Sequence, residues 1–172
     1  LQKTPTIGVD PYTRADYFQS LSMWRITDAA ESWSWEGCEG RRTTATVYSD
    51  AAQVELLLNG KSLGKKRPKK DIVKFKKVPY EAGKLEAVAF DASGKETGRA
   101  ALTSASGKTC IQLTPETTTL HANGQDLCFL KIDLTDANGI TKSSVDQNLK
   151  VEITGPATLQ GYGSARPNIE GS

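Results

Sequence analysis

The stretch VELLLNGKSLG at residues 54–64 decides the fold of this chain. Apolar residues alternate from Val54 to Leu58, and a period of two is typical of a β-strand with one buried face. Asn59-Gly60 follows directly, and this dipeptide supplies the positive φ angles that a two-residue type I′ turn requires. The stretch therefore predicts a strand, a tight turn and the start of a partner strand.

Short strands separated by turn residues extend outward from this hairpin. The turns include Glu81-Ala-Gly83 and Ser93-Gly94. Because no helix intervenes to form crossovers, the order favours an antiparallel sandwich over a parallel sheet. The predicted strands lie near residues 25–35, 41–49, 53–59, 71–78, 84–91 and 95–103.

A short N-terminal helix is predicted before this set, over roughly residues 11–23. Asp10 is a suitable N-cap and Pro11 a suitable first helical residue. Tyr17, Leu21 and Trp24 recur at i, i+4 and i+7, which places them on one face of the helix.

A second β unit follows the small, polar residues 104–108, which are typical of a linker. Asp136-Ala-Asn-Gly139 predicts a hairpin turn within it. An immunoglobulin-like sandwich usually has seven strands in about a hundred residues. We therefore expect a truncated unit whose last strands lie beyond Ser172, with an exposed edge available for self-association. Its predicted strands lie near residues 109–113, 126–135, 149–154 and 157–162.

The composition is that of an ordinary globular chain. Its 172 residues suit one medium domain or two small ones, and 37% hydrophobic and 24% charged residues exclude disorder. No run approaches the roughly 20 apolar residues that cross a bilayer, so no membrane partner is expected. The net charge of +2 is too small to imply a polyanionic partner. A start at Leu1 without an initiator Met indicates a segment of a longer protein.

Three cysteines, Cys38, Cys110 and Cys128, are scattered and lack CxxC spacing. Neither a disulfide framework nor a zinc site is therefore indicated. Buried, reduced cysteines are favoured over a bridge between Cys110 and Cys128.

No residue pattern indicates a catalytic residue, a cofactor or a metal. Glu31, Glu36 and Glu39 crowd one turn, where solvated carboxylates are common. His121 is the only histidine, and no nucleophile-elbow motif accompanies it. The oxygens of residues 133–139 do not fall at the spacing of a calcium-binding EF-hand loop. We predict no active site, no cofactor and no metal in this chain.

A basic cluster occupies residues 61–77. Nucleic-acid binding calls for aromatic residues interleaved with the charge, and only Phe75 is available. A solvated sheet edge, kept from pairing by lysines and Pro68, is the favoured interpretation, and no nucleic-acid partner is predicted. The cluster consists of Lys61, Lys65, Lys66, Arg67, Lys69, Lys70, Lys74, Lys76 and Lys77.

Trp33 and Trp35 are two residues apart, so in a strand both would lie on the same face. Exposed, they would form an aromatic platform that stacks on sugar rings. Buried, they would belong to the core of the first sandwich or to a contact with another domain. The buried alternative is favoured because large aromatic residues dominate core energetics. The pair is nevertheless the candidate carbohydrate-binding site.

Several segments resemble, in order, the region after the catalytic barrel in family 2 glycoside hydrolases of the β-galactosidase type, in the form typical of Bacteroidetes. The resemblance covers nearly the whole chain. It departs from the family pattern at Ser32, where a His is usual, and at Gly163-Ser164, where Gly-Asn is usual. The matching segments are residues 17–24, 31–40, 47–64, 78–88, 120–127, 136–139 and 155–163.

This resemblance implies an all-β fold of two tandem immunoglobulin-like β-sandwiches, the second truncated, after a short N-terminal helix. Residues 1–24 would join the catalytic barrel, 25–105 would form the first sandwich, and 106–172 the incomplete second. The chain would be a non-catalytic C-terminal fragment that supports the barrel, its partner within the same parent chain, and the rim of the cleft.

The parent would hydrolyse β-glycosidic bonds by a retaining two-glutamate mechanism, with both glutamates upstream of Leu1. The expected location of the parent is periplasmic or extracellular. The alternative function is an autonomous carbohydrate-binding or adhesion module that uses Trp33 and Trp35.

Overall fold

The computed structural model describes residues 4–12, 27 and 29–163. Within these ranges the chain has nine strands and no helix, which confirms the all-β prediction. The predicted helix falls, apart from residues 11 and 12, outside the described ranges. The strands are β1 (Thr6–Val9), β2 (Arg42–Tyr48), β3 (Gln53–Leu58), β4 (Lys61–Lys66), β5 (Ile72–Pro79), β6 (Lys84–Phe90), β7 (Glu96–Thr103), β8 (Cys110–Pro115) and β9 (Leu130–Thr135).

The strands form three antiparallel sheets. One sheet has the order β1-β2-β5, a second has the order β4-β3-β6-β7, and β8 pairs with β9. The first two sheets share one apolar core, to which β2 contributes Ala45 and Val47 and β6 contributes Leu85 and Ala87. β4 and β5 are consecutive in sequence but lie in different sheets, each at an edge.

The predicted hairpin forms at β3 and β4. Val54, Leu56 and Leu58 are buried, whereas the residues between them are only partly buried. Asn59 and Gly60 have φ angles of 50° and 80°, as the two-residue turn requires.

Asn59 also holds a second turn against the hairpin. Its Nδ2 donates a hydrogen bond to the Ala82 carbonyl at 3.1 Å, and its Oδ1 accepts one from the Lys84 backbone N–H at 2.8 Å. Gly83 lies between these two partners with a φ of 132°, and a Cβ at Gly83 would be 2.0 Å from Asn59 Oδ1. This close approach explains why a glycine is needed at residue 83.

We expect Gly83→Ala to destabilise the fold by about 2–3 kcal/mol, because it combines backbone strain with displacement of the Asn59 amide. Gly94→Ala is the matched control. Gly94 also has a positive φ, 85°, but open space surrounds its Cβ position, so strain of about 1 kcal/mol is expected there. Urea unfolding of both variants measures the difference. Equal losses would contradict a steric role for Asn59.

The strand predicted over 25–35 is wrong for the residues that the structure describes. Only Ala30 pairs there, through two hydrogen bonds with Val9 of β1. β1 itself was not predicted from the sequence, because it is short and directly precedes the Asp10-Pro11 helix signal. Residues 31–35 instead run as irregular backbone, fixed by hydrogen bonds from the Trp33 indole to the Glu81 carbonyl and from the Trp35 backbone N–H to the Tyr80 hydroxyl.

The second unit is smaller than predicted among the described residues. β8 and β9 form, and the turn at Asp136–Gly139 closes with a hydrogen bond from the Gly139 N–H to the Asp136 carbonyl at 3.1 Å. Residues 149–154 and 157–162 are not strands, so those two predictions are wrong.

The three cysteines form no disulfide bond, and they are not buried as predicted. Cys110 is exposed, while Cys38 and Cys128 are half-buried. For Cys110 the prediction of burial fails because all six residues of β8 are exposed.

Candidate functional site

A cluster of aromatic rings surrounds Trp33 and Trp35. The Trp33 ring lies 5.1 Å from that of Tyr80 at an angle of 62°, and Tyr12 lies 5.7 Å from Trp35 and 5.6 Å from Tyr80. These edge-to-face contacts are typical of a packed aromatic core. The cluster holds the irregular segment before β2 against the two sheets formed by β1 to β7, which we call the first unit.

Both indoles are inside the protein. Trp33 is 1% exposed and Trp35 is 9% exposed. The Trp33 Nε1–H donates to the Glu81 carbonyl at 3.0 Å, and the Trp35 Nε1–H to the Ser32 carbonyl at 3.3 Å. The buried alternative therefore describes these side chains, and carbohydrate binding through them stays a prediction.

Tyr80 connects this cluster to the chain that leaves β7. Its hydroxyl accepts a hydrogen bond from the Trp35 backbone N–H at 3.0 Å and lies 3.4 Å from Ser104 Oγ. The neighbouring Tyr12 hydroxyl is buried without a hydrogen-bond partner among the described residues, and this burial raises the pKa of Tyr12.

The residues predicted as a linker are fixed to the first unit. Ser104 Oγ donates to the Trp33 carbonyl and accepts a hydrogen bond from the Gly83 N–H at 3.1 Å. The Ala105 N–H donates to Ser34 Oγ at 3.1 Å. The start of the connecting segment is therefore anchored at three points.

The same segment is fixed to the second unit by Asp136. This carboxylate is 2% exposed and accepts hydrogen bonds from the backbone N–H groups of Ser106, Asn138 and Ile140 at 3.1, 2.8 and 3.0 Å. These bonds, that of Ile140 foremost, hold the pKa of Asp136 below its usual range.

Lys142 completes this arrangement from the second unit. It is 7% exposed, its Nζ donates to the Gly107 carbonyl, and Glu36 Oε2 lies 3.8 Å away. Beside it, Ser143 Oγ and Ser32 Oγ are 2.7 Å apart. We call Ser104, Ser106, Asp136 and Lys142, with their partners, the polar joint.

The polar joint was not predicted from the sequence. The prediction of a turn at Asp136-Ala-Asn-Gly139 is correct. The hydrogen bond between Ser106 and Asp136, however, joins residues 30 apart in sequence, and no local sequence pattern indicates it.

We expect Asp136→Asn to lower stability at neutral pH and to lose that effect in acid. A carboxylate whose native pKa is lowered stabilises the fold above its unfolded pKa of about 3.9, and this contribution disappears as the pH falls through the native pKa. The difference between the wild type and Asp136→Asn should therefore be largest near neutrality and shrink below about pH 4. Urea unfolding at both pH values measures it.

Asp133→Asn is the control for Asp136→Asn, because it also removes one carboxylate from the second unit, on β9. A difference for Asp136→Asn that is independent of pH would show that the ionised form of this carboxyl does not stabilise the joint.

The other polar candidates lie on the surface. Glu31, Glu36 and Glu39 are exposed, and Glu39 Oε1 accepts a weak hydrogen bond from the Gly37 N–H at 3.4 Å. His121 is exposed, and its Nδ1 lies 2.9 Å from Asp126 Oδ2. Among residues 4–12, 27 and 29–163, no three His, Cys, Asp or Glu side chains are placed to hold a metal ion. In the same ranges no helix is long and apolar enough to span a membrane.

Two protein families match successive parts of the chain. A domain of unknown function, DUF4982, matches residues 40–98, which contain β2 to β6 and the start of β7. Glycoside hydrolase family 2 C-terminal domain 5 matches residues 111–172.

Known proteins similar to this chain are several times longer. A β-galactosidase of Bacteroides ovatus is 31% identical over 70% of this chain and 14% of its own length. A β-glucuronidase of Formosa agariphila is 28% identical over 88% of this chain and 16% of its own length. The chain thus spans less than a fifth of each of these relatives.

A solved structure is also similar to this chain. A glycosyl hydrolase family 2 member from Bacteroides cellulosilyticus superposes with a TM-score of 0.67 at 35% identity, over 81% of this chain and 19% of that one. The chain therefore consists of C-terminal accessory domains of a glycoside hydrolase family 2 enzyme.

Proposed function

We propose that the chain is a non-catalytic scaffold in a family 2 β-glycosidase, where it supports the catalytic barrel and one rim of its cleft. In this proposal residues 1–24 join the barrel, 25–105 form an immunoglobulin-like sandwich, and 106–172 belong to a second one. The acid/base and nucleophile glutamates of the retaining mechanism belong to the barrel.

The observation that carries this proposal is the anchored segment between the two units. A flexible linker would leave the Ser104 hydroxyl and the Ser106 N–H bonded only to water, whereas here the first bonds to one unit and the second to the other. Rigid coupling of accessory units suits a supporting role, because it fixes the surfaces that they present to a neighbouring domain.

For the parent enzyme we propose a β-galactoside as substrate and a periplasmic or extracellular location. The similarity to the β-galactosidase of Bacteroides ovatus supports this substrate. The similarity to the β-glucuronidase of Formosa agariphila makes a β-glucuronide the second candidate. Neither similarity decides between the two substrates, because fold alone does not fix function.

The test compares the parent enzyme with and without residues 40–172. We expect the truncated enzyme to lose thermal stability, and the turnover of its folded fraction on p-nitrophenyl β-galactoside to change far less. The 172-residue chain alone should hydrolyse neither this substrate nor the matching β-glucuronide or β-mannoside. Turnover by the chain alone, or full stability of the truncated parent, would refute the scaffold role.

Titration with galactosides tests the alternative binding module. Saturable quenching of Trp fluorescence that is lost in Trp33→Ala, with the fold preserved, would favour carbohydrate binding over the scaffold role. The burial of both indoles argues against that result.

A further inference from the structure

The charges of the chain are distributed unevenly along its sequence, although the net charge is small. Residues 61–77 hold nine basic residues and one acidic residue, a charge of +8 in 17 residues, so the rest of the chain carries −6. All nine basic residues are exposed. We call this segment of β4, β5 and their connection the basic edge.

The fold concentrates this charge on one side of the first unit. β4 is the edge of one sheet and β5 is the edge of the other, and the two edges are consecutive in sequence. Lys66 connects them: its Nζ donates to the Lys74 carbonyl at 2.8 Å and lies 4.8 Å from the centre of the Phe75 ring. Two rows of lysines are thereby held side by side.

A β-bulge in β5 adds a further cation to the surface. Thr43 pairs with Val78 and Ala45 with Phe75, so two residues, Lys76 and Lys77, oppose one residue of β2. Lys77 has a φ of 60°, which is uncommon for a residue other than glycine. The extra residue keeps Phe75 and Val78 buried while both lysines stay exposed.

The charge of the basic edge is largely uncompensated by the residues that the structure describes. Of its nine cations, Lys65 alone forms an ion pair with a described residue, Glu55, at 3.8 Å. Like charges at this density repel one another and destabilise the compact state. Protection of an edge strand from aggregation calls for only a few lysines. An external polyanion would relieve the repulsion.

A hollow lies where the two edges meet. It has a volume of about 120 Å³ and combines apolar with basic walls. A surface of this kind accommodates a sugar ring, which has apolar C–H faces, together with an acidic substituent. Its walls include Leu63, Phe75, Val78, Lys66, Lys76 and Lys77.

We propose that the basic edge binds an anionic glycan, a sugar polymer that carries carboxylate or sulfate groups. The choice of a glycan rests on the proposed function in a glycosidase. Single-stranded nucleic acid fits less well, because base stacking needs exposed aromatic rings and Phe75, the only aromatic residue of the basic edge, is 3% exposed.

The test measures binding of the 172-residue chain to polygalacturonate and to heparin, with neutral galactan and a short single-stranded oligonucleotide in parallel. Both acidic glycans should bind, and the affinity should fall at least about tenfold between about 50 and about 200 mM NaCl. Binding to one acidic glycan alone also supports the proposal and identifies the group recognised.

The variant Lys74→Gln/Lys76→Gln/Lys77→Asn should weaken this binding by a further factor of about ten. Asn suits residue 77 because it tolerates a positive φ. The control Lys95→Gln/Lys108→Gln/Lys150→Gln removes the same charge from exposed lysines outside the basic edge and should bind as the wild type does. Unchanged circular dichroism and melting temperature verify that both variants fold.

The proposal is overturned if the chain binds neither acidic glycan, if neutral galactan binds equally well, or if the oligonucleotide binds more tightly than both. An equal loss in the control variant also overturns it. None of these results bears on the scaffold role, which is measured by the stability of the parent enzyme without any glycan.

Discussion

Trp33→Ala should destabilise the first unit by about 3–5 kcal/mol, the usual cost of truncating a buried tryptophan to alanine. The substitution leaves a cavity against Tyr80 and removes the hydrogen bond to the Glu81 carbonyl. The loss should be large because residues 31–35 lack the hydrogen-bond ladder of a strand and depend on side-chain packing. Urea unfolding followed by far-UV circular dichroism measures it.

Phe129→Ala is the control for Trp33→Ala. Phe129 is 74% exposed, so its truncation should change stability by no more than about 0.5 kcal/mol. A small effect of Trp33→Ala on unfolding, together with a loss of sugar binding, would reverse the assignment of Trp33 to the core.

Leu56→Ala should cost about 2–5 kcal/mol, as is usual for a fully buried leucine. Leu56 lies in the middle of β3, which pairs with β4 on one side and β6 on the other, so the surrounding sheet cannot easily close on the cavity. Thermal and urea unfolding of this variant measure the effect.

Leu57→Ala is matched to Leu56→Ala in chemistry and strand. Leu57 is only partly buried and lies on the opposite face, so about 1 kcal/mol is expected. Equal effects of the two substitutions would contradict the register of β3, since a slip by one residue exchanges the two faces.

The parts of the fold that could be predicted are those determined locally. The β3–β4 turn depends on Asn59 and Gly60, which are adjacent, and the buried face of β3 follows from alternation within six residues. β2, β5, β6 and β7 were predicted on the same basis and begin and end within about two residues of the predicted bounds.

The parts that could not be predicted depend on distant partners. Trp33 and Trp35 alternate as strand residues do, yet their segment is fixed by Tyr80, 45 residues after Trp35. The small polar residues 104–108 are compatible with a solvated linker and with an anchored one. Hydrogen bonds to the distant partners Trp33 and Asp136 make it the anchored one. Long-range hydrogen bonds leave no periodic trace in sequence.

The anchored segment at Ser104–Ser106 has a practical consequence for cutting this protein into pieces. Multidomain enzymes are commonly divided for separate expression where small polar residues follow a strand. A division before Ser104 would remove the hydrogen-bond partner of Trp33 and Gly83 from the first piece, and a division after Ser106 would remove a donor to Asp136 from the second. The two halves should therefore be obtained in better yield together than apart, and a protease added to the intact chain should find this junction resistant.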